Sequence, residues 1–163
     1  MSDATQGLAA QMPQNDACFM REAIQLARKA AALGEVPVGA VICQNGQVIA
    51  GAFNQRESDK SALAHAEILA IAQANQLLGG WRLHECDLYV TLEPCPMCAG
   101  AIINARIRRV IYGAKDPKAG CFGSVLDMNA HPFNHRPQVR AGVCEEACAA
   151  LLTDFFSRLR NRQ

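Results

Sequence analysis

The sequence predicts an α/β protein in which a mixed five-stranded sheet lies between layers of helices. Two short β-rich runs are separated by Asn45-Gly46, and this dipeptide favours the tight turn that joins antiparallel strands. Helical and strand-like segments then alternate along the rest of the chain, which is typical of a sheet with helices on both faces. The 163 residues are enough to bury a core in a single domain.

Hydrophobic periodicity and turn residues place the individual elements. Apolar residues at helical spacing predict a first helix that begins at Asp16 and ends before Gly34. The predicted strands are 38–43, 48–53, 87–92, 109–113 and 139–143, and the later predicted helices are 65–77, 97–104 and 145–160. Residues 1–15 are small, polar and without pattern, which predicts a disordered N-terminal extension before a single domain at 16–163.

Composition limits the compartment and the partners. The net charge is only +1, so an argument for nucleic-acid binding has to rest on local clusters. The eight cysteines could suggest disulfides, but the N-terminus lacks the basic and apolar regions of a secretory signal. No apolar run approaches the roughly 20 residues that span a bilayer. We therefore expect a soluble, cytoplasmic protein with free or metal-bound thiols and no membrane partner.

One pair of motifs carries the chemistry. His65-Ala66-Glu67 is followed by Pro94-Cys95-Pro96-Met97-Cys98, which supplies one imidazole, two thiolates and one carboxylate. A structural zinc site has four protein ligands, whereas a catalytic site keeps one position for water. The spacing H-x-E…P-C-x-x-C is typical of zinc-dependent nucleobase deaminases, in which the glutamate moves protons and does not bind the metal.

The spacing also has a geometric consequence. Cys95 and Cys98 are three residues apart and share one helix face, and Pro96 suits the first helical position, which places Cys95 at the N-cap. On a regular helix His65 and Glu67 would point about 200° apart. Both can face one metal only if His65 lies at the start of its helix. We therefore expect two helix N-termini to converge on a zinc ion, with Glu67 as the proton shuttle.

Several further segments carry a family resemblance. The chain resembles the bacterial tRNA-specific adenosine deaminases, in order, from about Asp16 to Arg160. The matching segments are 35–41, 64–68, 88–95, 98–101, 106–107, 109–110, 113–116, 134–136 and 149–156. Two departures stand out: Ser61-Ala62-Leu63 replaces the usual Asp-Pro-Thr, which puts nucleotide contacts in that loop in doubt, and Pro96 replaces a common valine.

The resemblance implies a function and assigns residues to it. It implies a cytidine-deaminase-like fold, a homodimer, and conversion of adenosine to inosine at the wobble position of a tRNA anticodon loop. It carries over one Zn²⁺ per subunit with His65, Cys95 and Cys98 as ligands and Glu67 as the catalytic residue. It also matches Asn54 to a residue that contacts the flipped base, and Asp116 and Phe156 to positions near the RNA.

Basic residues near these segments are open to two interpretations. One cluster precedes and follows the fourth predicted strand, and the other lies at the C-terminus; the residues are Arg106, Arg108, Arg109, Lys115, Lys118, Arg158, Arg160 and Arg162. From the residues alone, ordinary solvated surface and phosphate contacts are equally good interpretations. The resemblance favours phosphate contacts, in which case binding should weaken as salt rises.

Two other functions stay open from the sequence. The zinc chemistry is shared by deaminases of free bases or nucleosides, of the guanine or cytosine type, on the same fold. A silent RNA-binding or scaffold protein with structural zinc is the other alternative. Glu67 argues against the second, because a structural site has no use for a carboxylate beside an open position.

Overall fold

The structure, a computed structural model, describes residues 16–162. The predicted disorder of residues 1–15 lies outside the described residues. Four α-helices and five strands occur in the order α1 Asp16–Ala32, β1 Gly39–Gln44, β2 Gln47–Phe53, α2 Ala66–Leu78, β3 Cys86–Leu92, α3 Pro96–Asn104, β4 Arg109–Ala114, β5 Gln138–Arg140 and α4 Glu145–Asn161. A 3₁₀ turn, Met128–Ala130, precedes β5.

The strands form one sheet in the order β2-β1-β3-β4-β5. β1 is antiparallel to both β2 and β3, whereas β3, β4 and β5 run parallel. Asn45 and Gly46 both have positive φ (51° and 75°), as the turn of the predicted β1–β2 hairpin requires. The prediction of a mixed five-stranded sheet is confirmed.

Alternating side chains give the sheet a separate core on each face. On one face Ile42, Leu88 and Val110 pack with residues of α2 and α3. On the other face Val41, Tyr89 and Ile111 pack with α1 and with Cys148 of α4. Period-two alternation in β1, β3 and β4 therefore produces the three predicted layers.

The end of β5 and the burial of α4 were not predicted from the sequence. β5 ends at Arg140, not at residue 143, because Gly142 takes a positive φ of 81° and turns the chain. Val143 is nevertheless buried, and its N–H donates to the Tyr112 carbonyl at 3.2 Å. In α4 only Cys148 is buried, and the apolar residues farther along this helix are partly or largely exposed.

The parallel strands decide where the functional site lies. β3 and β4 both end at the same edge, and the loops that follow them begin at Glu93 and at Lys115. The β1–β2 hairpin contributes the segments before Gly39 and after Phe53 to that edge. No helix within residues 16–162 is long and apolar enough to cross a membrane.

Candidate metal centre and active site

His65 lies at the N-cap of α2, as the two-residue gap to Glu67 required. Its backbone is extended, with φ −75° and ψ 149°. Because this backbone is not helical, the direction of the His65 ring does not follow the rotation per residue of the helix that begins at Ala66. His65 and Glu67 can therefore face one site even though two helical positions would not.

The two cysteines occupy the start of the second helix. Cys95 is the N-cap of α3, with φ −73° and ψ 174°, and Pro96 follows at the first helical turn. Cys98 is fully buried one turn later. The N-terminus of a helix presents free N–H groups and partial positive charge, which favours thiolates at this end.

The three side chains form a cluster suited to a metal ion. Their ligand atoms all lie within 4.8 Å of one another. The His65 Nδ1 atom is 3.5 Å from the Cys95 sulfur and 3.5 Å from the Cys98 sulfur. A tetrahedral ion about 2.3 Å from a sulfur and about 2.0 Å from a nitrogen would place those two atoms about 3.5 Å apart. The donor set and its spacing thus fit zinc.

Protonation of the two sulfurs is linked. The hydrogen bond with Cys98, together with the bond from His65, lowers the pKa of Cys95 to about 4. A hydrogen bond with the Cys95 sulfur and burial raise the pKa of Cys98. A dication bound by both side chains would take both sulfurs as thiolates, because that is the form in which cysteine binds metals.

Glu67 lies beside this cluster without being part of it. Its side chain is buried, and burial raises the pKa of its carboxyl. A carboxyl with a raised pKa can take up and release a proton nearer to neutral pH than an exposed glutamate can. This environment suits proton transfer.

A cavity of about 210 Å³ opens beside His65, Glu67 and Cys95. Drug-sized ligands occupy pockets of roughly 300 Å³ or more, so this cavity suits one heterocyclic base, with the rest of a larger substrate outside. The other lining residues are Val36, Val38, Asn54, Arg56, Ala66, Leu92, Glu93, Asp116 and Ala119.

Asn54 and Asp116 lie on this cavity wall, and both side chains are oriented by backbone groups. The Asn54 amide donates to the Val36 carbonyl at 3.3 Å and accepts from the Arg56 N–H at 3.3 Å. The Asp116 carboxylate accepts from the N–H groups of Lys118 and Ala119 at 3.0 and 3.2 Å. Their predicted contacts with a base and with RNA stay predictions.

Phe156 is not among the residues that line the cavity. It lies on the exposed side of α4, is 41% exposed, and packs edge-on against Phe155. Its predicted contact with RNA stays a prediction. The departure at 61–63 lies just before His65, and its Leu63 is 62% exposed.

Two of the predicted basic contacts have internal partners. Arg108 forms a bidentate pair with Asp87, at 2.9 and 3.0 Å, and Arg109 bonds to Asp16 at 2.8 Å. Both lie at the start of β4, the end of the strand opposite the cavity. They therefore form ion pairs within the fold. Lys115 and Lys118, in contrast, lie on either side of Asp116 at the cavity.

Sequence reasoning did not identify Arg56 and Glu93 as residues of the site, yet both line the cavity. Arg56 follows Asn54 by two residues, so its position could have been inferred from that neighbour. Glu93 precedes Pro94-Cys95, but nothing in its local pattern separates it from an ordinary surface glutamate. Its role depends on contacts with a distant loop.

Comparison with known families agrees with this geometry. The family model of the MafB19-like deaminases matches residues 14–160. A tRNA-specific adenosine deaminase of Bacillus subtilis is 49% identical over 149 residues, covering 91% of this chain and 92% of that protein. A chloroplastic tRNA(adenine(34)) deaminase of Arabidopsis thaliana is 40% identical over 86% of this chain, which corresponds to 12% of that much longer protein.

Solved structures show the same fold. A structure from work on A-to-I editing by tRNA:A34 deaminases at the wobble position superposes with a TM-score of 0.80 at 47% identity, covering 82% of this chain and 98% of that one. A guanine deaminase from Nitrosomonas europaea superposes with a TM-score of 0.73 at 26% identity, covering 95% and 97%. The arrangement of sheet and helices is therefore shared with solved deaminases that act on different substrates.

Proposed function

Because this chain belongs to the family of the tRNA-specific adenosine deaminases, we propose that it hydrolyses adenosine to inosine at the wobble position of a tRNA anticodon loop. One Zn²⁺ per subunit is held by His65, Cys95 and Cys98. Glu67 is the catalytic residue, and Asn54, Asp116 and Phe156 contact the substrate.

One observation carries this proposal: three side chains that can bind a metal ion and the buried carboxyl group of Glu67 lie together at a cavity about the size of one base. Three protein ligands leave a coordination position for water, as in catalytic zinc sites. The Glu67 carboxyl lies next to the ligands but is not one of them. A structural zinc site would need neither the open position nor the carboxyl.

When bound, zinc supplies a Lewis acid and a water of lowered pKa at neutral pH. Glu67 takes one proton from the attacking water and delivers it to the ring nitrogen next to the amino-bearing carbon. It then transfers the second proton to the departing amine. Water and adenosine are consumed and inosine and ammonia are released, and Glu67 returns to its starting state.

The cavity walls support a single inserted base. Asn54 is 6% exposed and has a fixed amide at the wall, where it can hydrogen-bond one edge of the base. The apolar side chains of Val36, Val38 and Leu92 offer surfaces for its ring faces. Because the cavity holds about one base, the ribose and the flanking nucleotides would lie at the mouth, near Arg56 and Asp116.

Glu67→Gln tests the catalytic role directly. The variant keeps the size of the side chain but cannot carry protons, so we expect turnover to fall by about 10²–10⁴-fold with zinc content and melting temperature unchanged. Inosine formed in an anticodon stem-loop should be measured by mass spectrometry, and zinc by elemental analysis. Activity equal to that of the parent would remove Glu67 from the mechanism.

The alternative substrate class is a free base, since guanine deaminases share the fold at 26–31% identity. The wild-type protein should be incubated separately with an anticodon stem-loop, adenosine, guanine and cytosine. We expect inosine in the stem-loop only. Conversion of guanine or cytosine without conversion of the stem-loop would favour the alternative, and conversion of none would overturn the proposed deaminase activity.

Further parts of the proposal follow from family membership. We place one zinc-dependent deaminase domain at residues 16–163, assembled as a homodimer in the cytoplasm, where its tRNA substrate resides. The shared sheet of the described residues supports a single domain. Sedimentation equilibrium of the zinc-loaded protein should give twice the 17.6 kDa chain mass, and a single-chain mass across micromolar concentrations would refute the dimer.

A further inference from the structure

Glu93 is a buried carboxylate at the cavity that the proposed mechanism does not use. It is 2% exposed and lies directly after β3, two residues before the metal-binding Cys95. Burial of an ionised carboxylate is costly unless hydrogen bonds satisfy its oxygens. The partners that it has therefore indicate what it does.

Within residues 16–162, all the hydrogen bonds that Glu93 accepts through its side chain come from one distant loop, residues 115–124. One oxygen accepts from the Asp116 N–H at 3.1 Å and from the Ser124 hydroxyl. The other accepts from the N–H groups of Phe122 and Ser124, each at 3.1 Å. One carboxylate thus holds both ends of a nine-residue span, Asp116 to Ser124.

The loop also approaches the carboxylate closely. A Cβ added at Gly120 would overlap the carboxyl carbon of Glu93 and contact both of its oxygens. The Cys121 N–H donates to the Pro94 carbonyl at 2.9 Å, which fastens the loop to the segment that leads into Cys95. A side chain at position 120 would push the carboxylate away from these hydrogen bonds.

The same loop supplies one wall of the cavity, through Asp116 and Ala119. Its first turn is closed by the Asp116 carboxylate and by the Gly120 N–H, which donates to the Asp116 carbonyl at 2.9 Å. The turn is therefore closed by its own hydrogen bonds, and the bonds to Glu93 link it to the segment that leads into Cys95.

We infer that Glu93 is a positioning residue for the substrate: it fixes the 115–124 loop, and with it Asp116 and Ala119, at a set distance from the metal-binding Cys95. The inference rests on the proposed function, because the loop matters only if a nucleotide enters this cavity. Displacing the wall should weaken substrate binding more than it slows the chemistry, since Glu67 and the zinc ligands lie on other segments.

Glu93→Gln tests this inference. An amide cannot replace the carboxylate, because each of its oxygens faces two donors and the NH₂ group would meet donors in either orientation. For the zinc-loaded variant and an anticodon stem-loop we expect KM to rise about tenfold or more, with a smaller change in kcat. Amide hydrogen exchange should accelerate in residues 115–124, and zinc content should stay at one per chain.

Two further variants separate positioning from general destabilisation. Ser124→Ala removes the hydroxyl that donates to Glu93 and should raise KM as well, by about threefold. Asp16→Asn alters another buried carboxylate, which bonds to Tyr89, Arg109 and Arg140 at the opposite end of the strands. It should lower the melting temperature yet leave KM within about twofold.

Specific results would overturn the inference. A KM for Glu93→Gln within about twofold of the wild-type value would overturn it. So would a loss of zinc from Glu93→Gln in proportion to its loss of activity. An equal rise of KM in Asp16→Asn would overturn it too. If Glu93→Gln does not fold, an unchanged KM in Ser124→Ala overturns it. Failure of the wild-type protein to make inosine would instead refute the proposed function, and unchanged amide exchange in residues 115–124 would still refute the anchoring role.

Discussion

Gly39 offers a sharp test of how α1 packs on the sheet. This residue begins β1 directly under α1. An added Cβ would overlap the Ala23 carbonyl oxygen and lie 2.6 Å from the Ala27 nitrogen. Both are backbone atoms, so no side-chain rotation can relieve the clash. To bring the distance from the added Cβ to the Ala27 nitrogen up to an ordinary contact of about 3.4 Å, α1 would have to move away from the sheet by roughly 0.8 Å.

That retreat would loosen a closely packed helix face. The α1 residues that form it include Met20, Ala23 and Ala27, all fully buried. Overpacking of a core costs about 1–3 kcal/mol, and we place Gly39→Ala near the upper end, at about 3 kcal/mol, because the obstacles are backbone atoms. At about 2–4 °C per kcal/mol for a chain of this size, the melting temperature should fall by about 6–12 °C.

Urea denaturation of the zinc-loaded protein, followed by circular dichroism, measures the change. Gly51→Ala is the matched control on the neighbouring strand β2. Its added Cβ would lie 3.1 Å from the end of the Leu26 side chain, and its contacts with Val41 at 3.5 Å and with the Ala40 carbonyl oxygen at 3.8 Å are ordinary. We expect an effect within about 1 kcal/mol, because alanine also loses less backbone entropy than glycine on folding. Equal losses for the two variants would refute the packing argument.

Three more predictions address charge, metal and RNA. Burial alone would raise the pKa of Asp16, but hydrogen bonds from Tyr89 and Arg140 and the charges of Arg109 and Arg140 lower it overall. A carboxylate with a lowered pKa stabilises the folded state. This contribution is present above the unfolded pKa of about 3.9 and is lost as pH falls through the folded pKa. Asp16→Asn should therefore lose stability at pH 7 in urea denaturation, and a difference from wild type that does not shrink toward pH 2 would contradict the linkage. Cys98→Ser should abolish zinc binding and inosine formation, and so should dialysis of the wild type against a chelator. Adding Zn²⁺ should restore activity only in the dialysed wild type. Full activity of the metal-free protein would contradict a zinc mechanism. Stem-loop affinity measured by fluorescence anisotropy should fall as salt rises from 50 to 200 mM, with a shallower slope in Lys118→Ala, and a salt-independent affinity would exclude phosphate contacts.

Local patterns were sufficient to predict most of the secondary structure. Period-two alternation and the Asn45-Gly46 turn predicted the strands near the site, and those elements are confirmed within one or two residues. The position of His65 at a helix start followed from the 100° turn per residue, and its extended backbone confirms it. These features depend on residues a few positions apart, so the sequence contains the information directly.

The weaker predictions concern surfaces. The periodicity of α4 predicted the helix itself, but not that only Cys148 of it is buried while Phe156 is 41% exposed. Arg108 and Arg109 pair with Asp87 on β3 and Asp16 on α1, which the sequence did not predict, and their contact with phosphate stays a prediction. Exposure and ion pairing depend on which elements become neighbours, which spacing within one helix or strand does not encode.

The sequence alone predicted the candidate metal ligands, the adjacent carboxylate and the sheet that carries them, because each follows from motif spacing or from the period of a helix or strand. How the cavity is closed depends on tertiary contacts. Glu93 meets its partners 23 to 31 residues farther along the chain, mostly through backbone N–H groups that every residue except proline possesses. Such donors leave no mark on the amino-acid pattern, so the wall of the site could be found only in the folded chain.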